Sequence, residues 1–196
     1  MIFHDTPIAG LVLVELRKIG DDRGFFARTF CTDEFAEAGL ETTFVQGNVS
    51  LTAQAGTVRG MHFQLPPSSE DKYVRCTRGA LYDVGVDLRA GSPTFGQSWG
   101  VELTADNGLG LVLSKGIAHG FQTLVDDTEA NYLVSSAYAP ELERGLRHDD
   151  PTLGIEWPLA VTVVSDKDAS WPAFGPESAI DLRSGVTGLE PRPQEA

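Results

Sequence analysis

The sequence predicts an all-β domain built as a sandwich or a barrel. Its 196 residues include 21 glycines and 11 prolines, a balance that favours many short strands joined by tight turns. Residues 80–88, ALYDVGVDL, alternate as a strand does. Turn signals recur at Arg78-Gly79, in AGSP at 90–93 and in ADNG at 105–108, a spacing that suits a sandwich or barrel better than alternating strands and helices.

The first part of the chain predicts two strands, a turn and one short helix. LVLVEL at 11–16 and FFARTF at 25–30 have the composition of strands, and DDRG at 21–24 is a turn between them. Thr32 is the expected N-cap of the helix, and Gly39 is expected to end it in the left-handed conformation. After this helix, strand is expected to follow strand.

Two later segments predict which side chains share a face. In the strand at 80–88, one face is expected to meet the core and the other is not. The apolar face carries Tyr82, Val84, Val86 and Leu88, and the other face carries Asp83 and Asp87. In NYLVSSAY, positions 132 and 138 have the same parity, so Tyr132 and Tyr138 are expected to line one cavity.

Length and composition predict a single domain over residues 1–186, followed by a flexible tail at 187–196. The formal charge of -13 would repel a nucleic-acid backbone or an anionic membrane surface, so neither is an expected partner. No apolar stretch of the sequence approaches the roughly 20 residues of a membrane span. Cys31 and Cys76 lack metal-type spacing and the N-terminus lacks a signal-peptide pattern, which predicts a cytoplasmic protein.

Three segments carry polar residues where the pattern otherwise indicates strands. They are GTVRGMHFQ at 56–64, the segment around Lys72, and SKGIAHGF at 114–121. Polar side chains on strands converge only if the sheet closes around a pocket, so these segments predict an active site.

These residue types suit acid-base chemistry next to a ketone. His62 can take a proton near neutral pH, and a carboxylate behind it would fix its tautomer. The candidate carboxylates are Asp83, Asp87 and Asp168, and sequence distance does not choose among them. A tyrosine can supply the opposing acid, and Lys72 beside a carbonyl oxygen would stabilise an enolate. Taken singly, a strand histidine or a half-buried tyrosine is more often structural. The prediction of a catalytic site therefore depends on the combination of these residues.

Arg59 and His62 differ in parity, so a regular strand would place them on opposite faces. Gly60 lies between them and can host a bulge that shifts the alternation. We therefore expect an irregularity at Gly60, and a regular strand there would count against a shared site.

The chain resembles the dTDP-4-dehydrorhamnose 3,5-epimerases from about Asp21 to Asp168. The matching stretches are DDRGFF (21–26), VRGMHFQ (58–64), YDVGVDLRAGSPTFGQSW (82–99), AHGFQTL (118–124) and DDPTLGIEWP (149–158). The resemblance implies a cupin-type jelly roll (double-stranded β-helix) with a few short helices, a homodimer and no metal or organic cofactor. It implies an isomerase that inverts carbons 3 and 5 of dTDP-4-dehydro-6-deoxy-D-glucose, giving dTDP-4-dehydro-L-rhamnose.

The resemblance also implies roles for individual residues. His62 looks like the base with Asp168 as its carboxylate partner, Tyr132 like the opposing acid, and Lys72 would lie near the keto oxygen. The implied substrate-binding residues are Arg23, Phe26, Gln46, Asn48, Arg59, His119, Tyr138, Glu143 and Lys167. The aromatic residues of FFARTF, on a possible edge strand, are expected to cross to the partner subunit and complete its site.

Three alternatives remain at this point. One is a monoepimerase of a related nucleotide 4-keto-6-deoxy sugar, in which a single carbon is inverted. Another is a metal-dependent cupin oxygenase or isomerase, for which His62 and His119 alone provide too few ligands. A third is a non-catalytic sugar-binding jelly roll, which would not need a base, an acid and a lysine together.

Overall fold

The computed structural model describes residues 1–183 and Gly188, and these residues are mostly β-structure. The strands are β1 (Ile2–Asp5), β2 (Leu11–Glu15), β3 (Ile19–Asp21), β4 (Gly24–Phe26), β5 (Gln46–Thr52), β6 (Val58–Gln64), β7 (Lys72–Arg78), β8 (Ala80–Asp87), β9 (Ser98–Thr104), β10 (Leu109–Leu113), β11 (Ile117–Thr123), β12 (Thr128–Val134) and β13 (Glu143–Gly145). The helices are α1 (Thr32–Glu37) and α2 (Asp166–Ala169), with one turn of 3₁₀ helix at Pro176–Ser178. Neither α-helix of this part of the chain has the length that a bilayer span requires. The tail predicted at 187–196 lies outside the described residues, apart from Gly188.

The strands form two antiparallel sheets that pack face to face. The larger sheet has the order β1-β2-β10-β7-β12-β5, and the smaller sheet has the order β13-β6-β11-β8-β9. Neighbours within a sheet are mostly distant in sequence, as where β10 pairs with both β2 and β7. The predicted jelly roll is therefore confirmed. Strands β3 and β4 form a separate hairpin.

The core between the sheets draws apolar side chains from both of them. The larger sheet contributes Leu11, Val74, Leu111, Leu113 and Ala130, and the smaller contributes Leu81, Leu103, Ile117 and Phe121. All are buried. At roughly 1.5–3 kcal/mol for each large apolar side chain removed from water, this cluster is the main source of stability for the sandwich.

The expectation that only one face of β8 would be buried is wrong. Asp83 and Asp87 are as fully buried as the apolar residues that alternate with them. Both carboxylates share their face of β8 with Leu81, which packs in the core between the sheets. The opposite face of β8 is covered by the chain after β12, which crosses the outer face of the smaller sheet. Leu146, Leu153 and Ile180 from this segment pack with the valines and Leu88 of the β8 region in a second apolar cluster. A central strand covered on both sides has no solvent face.

The early part of the chain departs from the prediction in two places. The predicted strand at 25–30 is confirmed only as far as Phe26, because Phe30 leaves strand geometry to pack edge-on against Phe35 of α1 at 4.9 Å between ring centroids. The N-cap of α1 is Cys31, so the assignment of Thr32 is wrong by one residue. Gly39 follows the helix with φ +71, as predicted.

The predicted irregularity at Gly60 is confirmed. His62 pairs with His119 of β11, whereas Arg59 pairs with Phe121, so β6 contains one more residue than β11 over this interval. Gly60 has φ +128, and a Cβ at this position would lie 2.5 Å from Cα of Gly120. The position therefore accepts only glycine.

Asp87, the last residue of β8, is held by the loop that follows the strand. Arg89 donates from Nε to Oδ1 and from Nη2 to Oδ2 of this carboxylate, both at 2.8 Å. The hydroxyl groups of Ser92 and Thr94 each donate to Oδ2 at 2.6 Å. Burial by itself would raise the pKa of Asp87, but these hydrogen bonds outweigh burial and lower the pKa from 3.8 to about 2.

Replacement of Asp87 by asparagine is expected to reduce the free energy of unfolding by about 2 kcal/mol at pH 7, because charge-assisted hydrogen bonds to a buried group are lost. The pKa is lower in the folded chain, so the stabilising contribution is complete above the ordinary aspartate pKa and is lost as the pH falls towards the folded value. In urea unfolding followed by circular dichroism, the difference between the two proteins should shrink below about pH 4.

Asp149→Asn is the matched control, because it removes the same charge from an exposed ion pair with Arg147. It is expected to change the free energy of unfolding by less than about 1 kcal/mol. Equal effects of the two substitutions would contradict the role assigned to the Asp87 network.

Candidate active site

Two adjoining cavities lie between the sheets, beside edge strands β5 and β13. Their volumes are about 280 and 260 Å³, and His62, Lys72 and Tyr132 line both. The first cavity is also lined by Gln46, Asn48, Gln64, Glu70, Tyr138 and Glu143. The second is also lined by Ser50, Arg59, His119, Phe121, Lys167 and Asp168. The structure thus brings together the predicted site residues except Arg23 and Phe26.

His62 is paired with Asp168, which the family resemblance indicated among the three carboxylates that residue spacing left open. The distance between His62 Nε2 and Asp168 Oδ1 is 2.6 Å. Asp87 is taken by Arg89, and Asp83 lies 2.7 Å from Nε2 of His119. Each candidate carboxylate therefore has a separate partner.

Asp168 is positioned by a short helix and by the bulge in β6. Ser165 caps α2, and its hydroxyl accepts a hydrogen bond from the Asp168 backbone at 3.1 Å. Oδ2 of Asp168 accepts from the Gly60 N–H at 3.1 Å. Burial would raise the pKa of Asp168. The hydrogen bond with His62, the charge of His62 and the hydrogen bond from the Gly60 N–H together lower this pKa. The carboxylate is therefore ionised behind the imidazole.

Lys72 and Tyr132 lie on neighbouring strands of the larger sheet, opposite the histidines of the smaller sheet. Lys72 Nζ lies 3.1 Å from Oε1 of Glu70. Burial, followed by the negative charge of Glu70, raises the pKa of Tyr132, and the positive charge of Arg59 opposes this shift. The phenol is therefore held in its protonated form, which an acid requires.

Tyr138 reaches the first cavity, although the strand predicted to carry it ends at Val134. It is placed by a loop, in which its N–H donates to Gln46 Oε1 at 3.1 Å. Its hydroxyl donates to Glu143 Oε2 at 2.8 Å, and Lys167 Nζ lies 2.7 and 2.8 Å from the two oxygens of that carboxylate. Burial would raise the pKa of Glu143, but Lys167 and Tyr138 lower it.

Arg23 and Phe26 lie on the β3–β4 hairpin and line neither cavity. The Arg23 side chain is 89% exposed and pairs with Asp21, and Phe26 is 68% exposed. The neighbouring Ile19 and Phe25 are exposed as well. Within one chain, the structure does not bring this hairpin to the site.

Several residues that shape the cavities were not predicted. They are Ser50, Gln64, Glu70, Phe121 and Ser165. Ser165 had a usable signal, because a serine before Asp-Lys-Asp is a common helix start. The contacts of Gln64 with Ala137 and Ala139 join segments distant in sequence, for which a single sequence has no signal.

Both histidines of the site use Nε2 for a carboxylate partner. Among the residues that the structure describes, no group of three or more His, Cys, Asp or Glu side chains is arranged to hold a metal ion. The arrangement provides a histidine base, a phenol and an ammonium group around a shared space. These groups can move protons at a carbon next to a carbonyl.

Comparison with known proteins agrees with this chemistry. The sequence pattern of the family described as dTDP-4-dehydrorhamnose 3,5-epimerase matches residues 5–175. A relative of that name from Sinorhizobium fredii is 49% identical over 175 residues, which are 89% of this chain and 90% of the relative. The structure of a dTDP-4-dehydrorhamnose 3,5-epimerase from Bacillus anthracis with TDP and PPi bound has a TM-score of 0.86 and 42% identity, over 88% of this chain and 99% of that one. A dTDP-6-deoxy-D-glucose-3,5-epimerase from Legionella pneumophila in complex with dTDP-4-keto-L-rhamnose has a TM-score of 0.85 and 37% identity, over 92% of this chain and 97% of that one.

Neutral His62 is expected to carry its proton on Nε2, because that nitrogen faces the Asp168 carboxylate, which only accepts hydrogen bonds. Long-range proton–nitrogen NMR of protein with labelled histidine distinguishes the two tautomers. Asp168→Asn should produce a mixture of His62 tautomers and leave the His119 signals unchanged. The matched substitution Asp83→Asn should change His119 and leave His62 unchanged. A His62 signal of the Nδ1–H tautomer in the unaltered protein would contradict the pairing.

Proposed function

The chain belongs to the dTDP-4-dehydrorhamnose 3,5-epimerase family, a family of isomerases, and on that premise we propose that it inverts carbons 3 and 5 of dTDP-4-dehydro-6-deoxy-D-glucose to give dTDP-4-dehydro-L-rhamnose. The observation that carries the proposal is that His62 of the smaller sheet and Lys72 and Tyr132 of the larger sheet line both cavities. The Legionella pneumophila neighbour, with dTDP-4-keto-L-rhamnose bound, supports the same class of substrate.

Proton transfer on two sides of one carbon explains the inversion. Nδ1 of His62 takes the proton from the carbon next to the 4-keto group, and Nε2 keeps its bond to Asp168, which stabilises the imidazolium. The electron pair of the broken C–H bond forms an enolate, whose oxygen is stabilised by the Lys72 ammonium. The phenol of Tyr132 then donates a proton to the other face of the same carbon. Exchange with water restores both side chains, and the second carbon is inverted in the same way.

Substrate binding is assigned to other residues that line the two cavities. They are Gln46, Asn48, Arg59, His119, Tyr138, Glu143 and Lys167. Arg59 Nε donates to Thr52 Oγ1 at 2.9 Å, and among the described residues it has no carboxylate within ion-pair distance. A guanidinium without a carboxylate is well suited to the oxygens of a nucleotide sugar. The reaction needs neither a metal nor an organic cofactor, because both protons move between side chains and substrate.

A homodimer is the second part of the proposal, with the β3–β4 hairpin of each subunit reaching the site of the other. The hairpin exposes Ile19, Phe25 and Phe26 together, and exposed apolar groups of this kind are typical of protein–protein contacts. In a dimer, Arg23 and Phe26 would join the substrate-binding residues of the partner.

We place the reaction in the cytoplasm. Cys31 and Cys76 are both free thiols, and unpaired cysteines are typical of a reducing compartment. Burial raises the pKa of the Cys76 thiol to about 11, so this cysteine is a packing residue.

Incubation with dTDP-4-dehydro-6-deoxy-D-glucose in deuterated water is expected to introduce deuterium at carbons 3 and 5, as followed by NMR. His62→Ala should slow exchange at both carbons by about 10²–10⁴-fold, because the base is removed. His4→Ala removes a histidine of β1 that lines neither cavity and should leave the rate unchanged. Exchange at one carbon only would identify a monoepimerase, and no exchange with the unaltered protein would contradict the proposed function.

In the same experiment, Tyr132→Phe separates the two faces of the substrate. His62 can still remove a proton and return deuterium to the same face, so label should enter while the configuration is retained. Equal losses of label entry and inversion in Tyr132→Phe would contradict the assignment of Tyr132 as the opposing acid.

Mixing two inactive variants tests the exchanged hairpin. Arg23→Ala impairs the hairpin and His62→Ala impairs the base, so a mixed dimer contains one intact combination of site and hairpin. Mixed dimers form when the two variants exchange subunits in solution. The mixture should then recover activity that neither variant has alone. A monomeric mass by light scattering, or a mixture no more active than its components, would contradict this arrangement.

A further inference from the structure

Glu70, in the loop before β7, has both carboxylate oxygens fixed inside the site. Oε1 lies 3.1 Å from Lys72 Nζ, and Oε2 accepts from Gln64 Nε2 at 3.1 Å. Only 10% of the Glu70 side chain and 11% of the Lys72 side chain are exposed. Glu70 lines the first cavity beside Lys72 and Tyr132. A carboxylate fixed inside a site for an anionic substrate would repel that substrate, so its presence there needs an explanation.

The position of Glu70 is set by a buried glutamine. Gln64 Nε2 also donates to the carbonyl groups of Ser68 at 3.0 Å and Ala137 at 3.3 Å. Oε1 of Gln64 accepts from the Ala139 N–H at 2.6 Å. Gln64 therefore ties the loop before β7 to the loop after β12, and Glu70 is fixed where these loops meet.

A lysine ammonium is a compact charge on a flexible four-carbon stem, so its place in a site depends on what it contacts. We propose that Glu70 is a positioning residue that anchors the Lys72 ammonium in the site, where Lys72 and Tyr132 line both cavities. The inference rests on the proposed function for its meaning in catalysis. Lys72 must lie close enough to stabilise an enolate, and a bare ammonium at that distance would also favour the phenolate of Tyr132.

The charges around Tyr132 make this balance explicit. The ionisable groups that line the two cavities with Tyr132 are Arg59 and His62 on β6, Glu70 in the loop before β7, Lys72 at the start of β7, His119 on β11, Glu143 on β13, and Lys167 and Asp168 on α2. After burial, the charge of Glu70 is the largest contribution that raises the pKa of Tyr132, and Arg59 lowers it. Glu70 thus offsets part of the positive charge that the substrate requires.

Titration of residue 132 tests the proposal without substrate. Incorporation of 3,5-difluorotyrosine at position 132 of the full chain allows the phenol to be titrated by fluorine NMR. Glu70→Gln keeps the shape of the side chain and should lower the midpoint by about one pH unit, because Lys72 is left as an unpaired positive neighbour. Glu70→Asp keeps the charge and should cause a smaller shift. With ordinary Tyr132, the alkaline limb of the kcat profile should move to lower pH in the same order.

Two further variants keep the test decisive. Glu129→Gln removes a carboxylate from β12, the strand of Tyr132, where Glu129 bonds to the Thr77 hydroxyl, and it should leave the midpoint unchanged. Lys72→Met removes the positive neighbour and should raise the midpoint. The proposal is overturned if Glu70→Gln shifts the midpoint no more than Glu129→Gln, or if Glu70→Asp shifts it as far as Glu70→Gln. If the unaltered protein turns over no substrate, the proposed function fails, while the titration still decides whether Glu70 acts on Tyr132.

Discussion

The site depends on one departure from regular strand geometry, the bulge at Gly60. The extra residue on β6 turns Arg59 to the same side as His62, so that a guanidinium and an imidazole line one cavity. The same distortion directs the Gly60 N–H to Asp168, the carboxylate bonded to that imidazole. The close approach to Gly120 of β11 leaves no space for a Cβ. A single glycine therefore aligns three functional side chains, and a side chain at this position would disturb all of them.

Pairing of opposite charges explains how so many ionisable groups occupy a small and mostly buried space. The pairs of opposite charge are Lys72 with Glu70 and Lys167 with Glu143, and the carboxylates of Asp168 and Asp83 are bonded to His62 and His119. A charge removed from water without a partner is costly, whereas these pairs satisfy each other at 2.6 to 3.1 Å. The net charge of -13 describes the outer surface and is a poor guide to the local field in the cavities.

Much of the fold was predictable because strand alternation is a local signal, and the segment at 80–88 forms β8 as expected. The burial of both faces of β8 was not predictable, because the segment that covers the valine face lies more than fifty residues later and has no periodic pattern. The choice of Asp168 as the partner of His62 depends on a contact between residues 106 positions apart. Tyr138 lies in the predicted cavity for a different reason from the predicted one, since a loop rather than a strand places it there. Reasoning from residue patterns therefore identified the residue types of the site, and of the long-range contacts that orient them only the pairing of His62 with Asp168 was indicated, through the family resemblance.

The sandwich itself explains why this fold suits inversion at carbon. Inversion requires a base and an acid on opposite faces of a planar enolate. His62 belongs to the smaller sheet and Tyr132 to the larger one, so they approach the shared space from opposite sides. Packed sheets are about 10 Å apart, a separation that admits a flat six-membered ring between two inward side chains. Because the proposed base and acid are on strands rather than loops, backbone hydrogen bonds fix each of them within its own sheet, and the packed core between the sheets fixes their separation before any substrate binds. The two-sided geometry of the reaction is thus a property of the fold, and the loops that carry Glu70 and Tyr138 adjust charge and access around it.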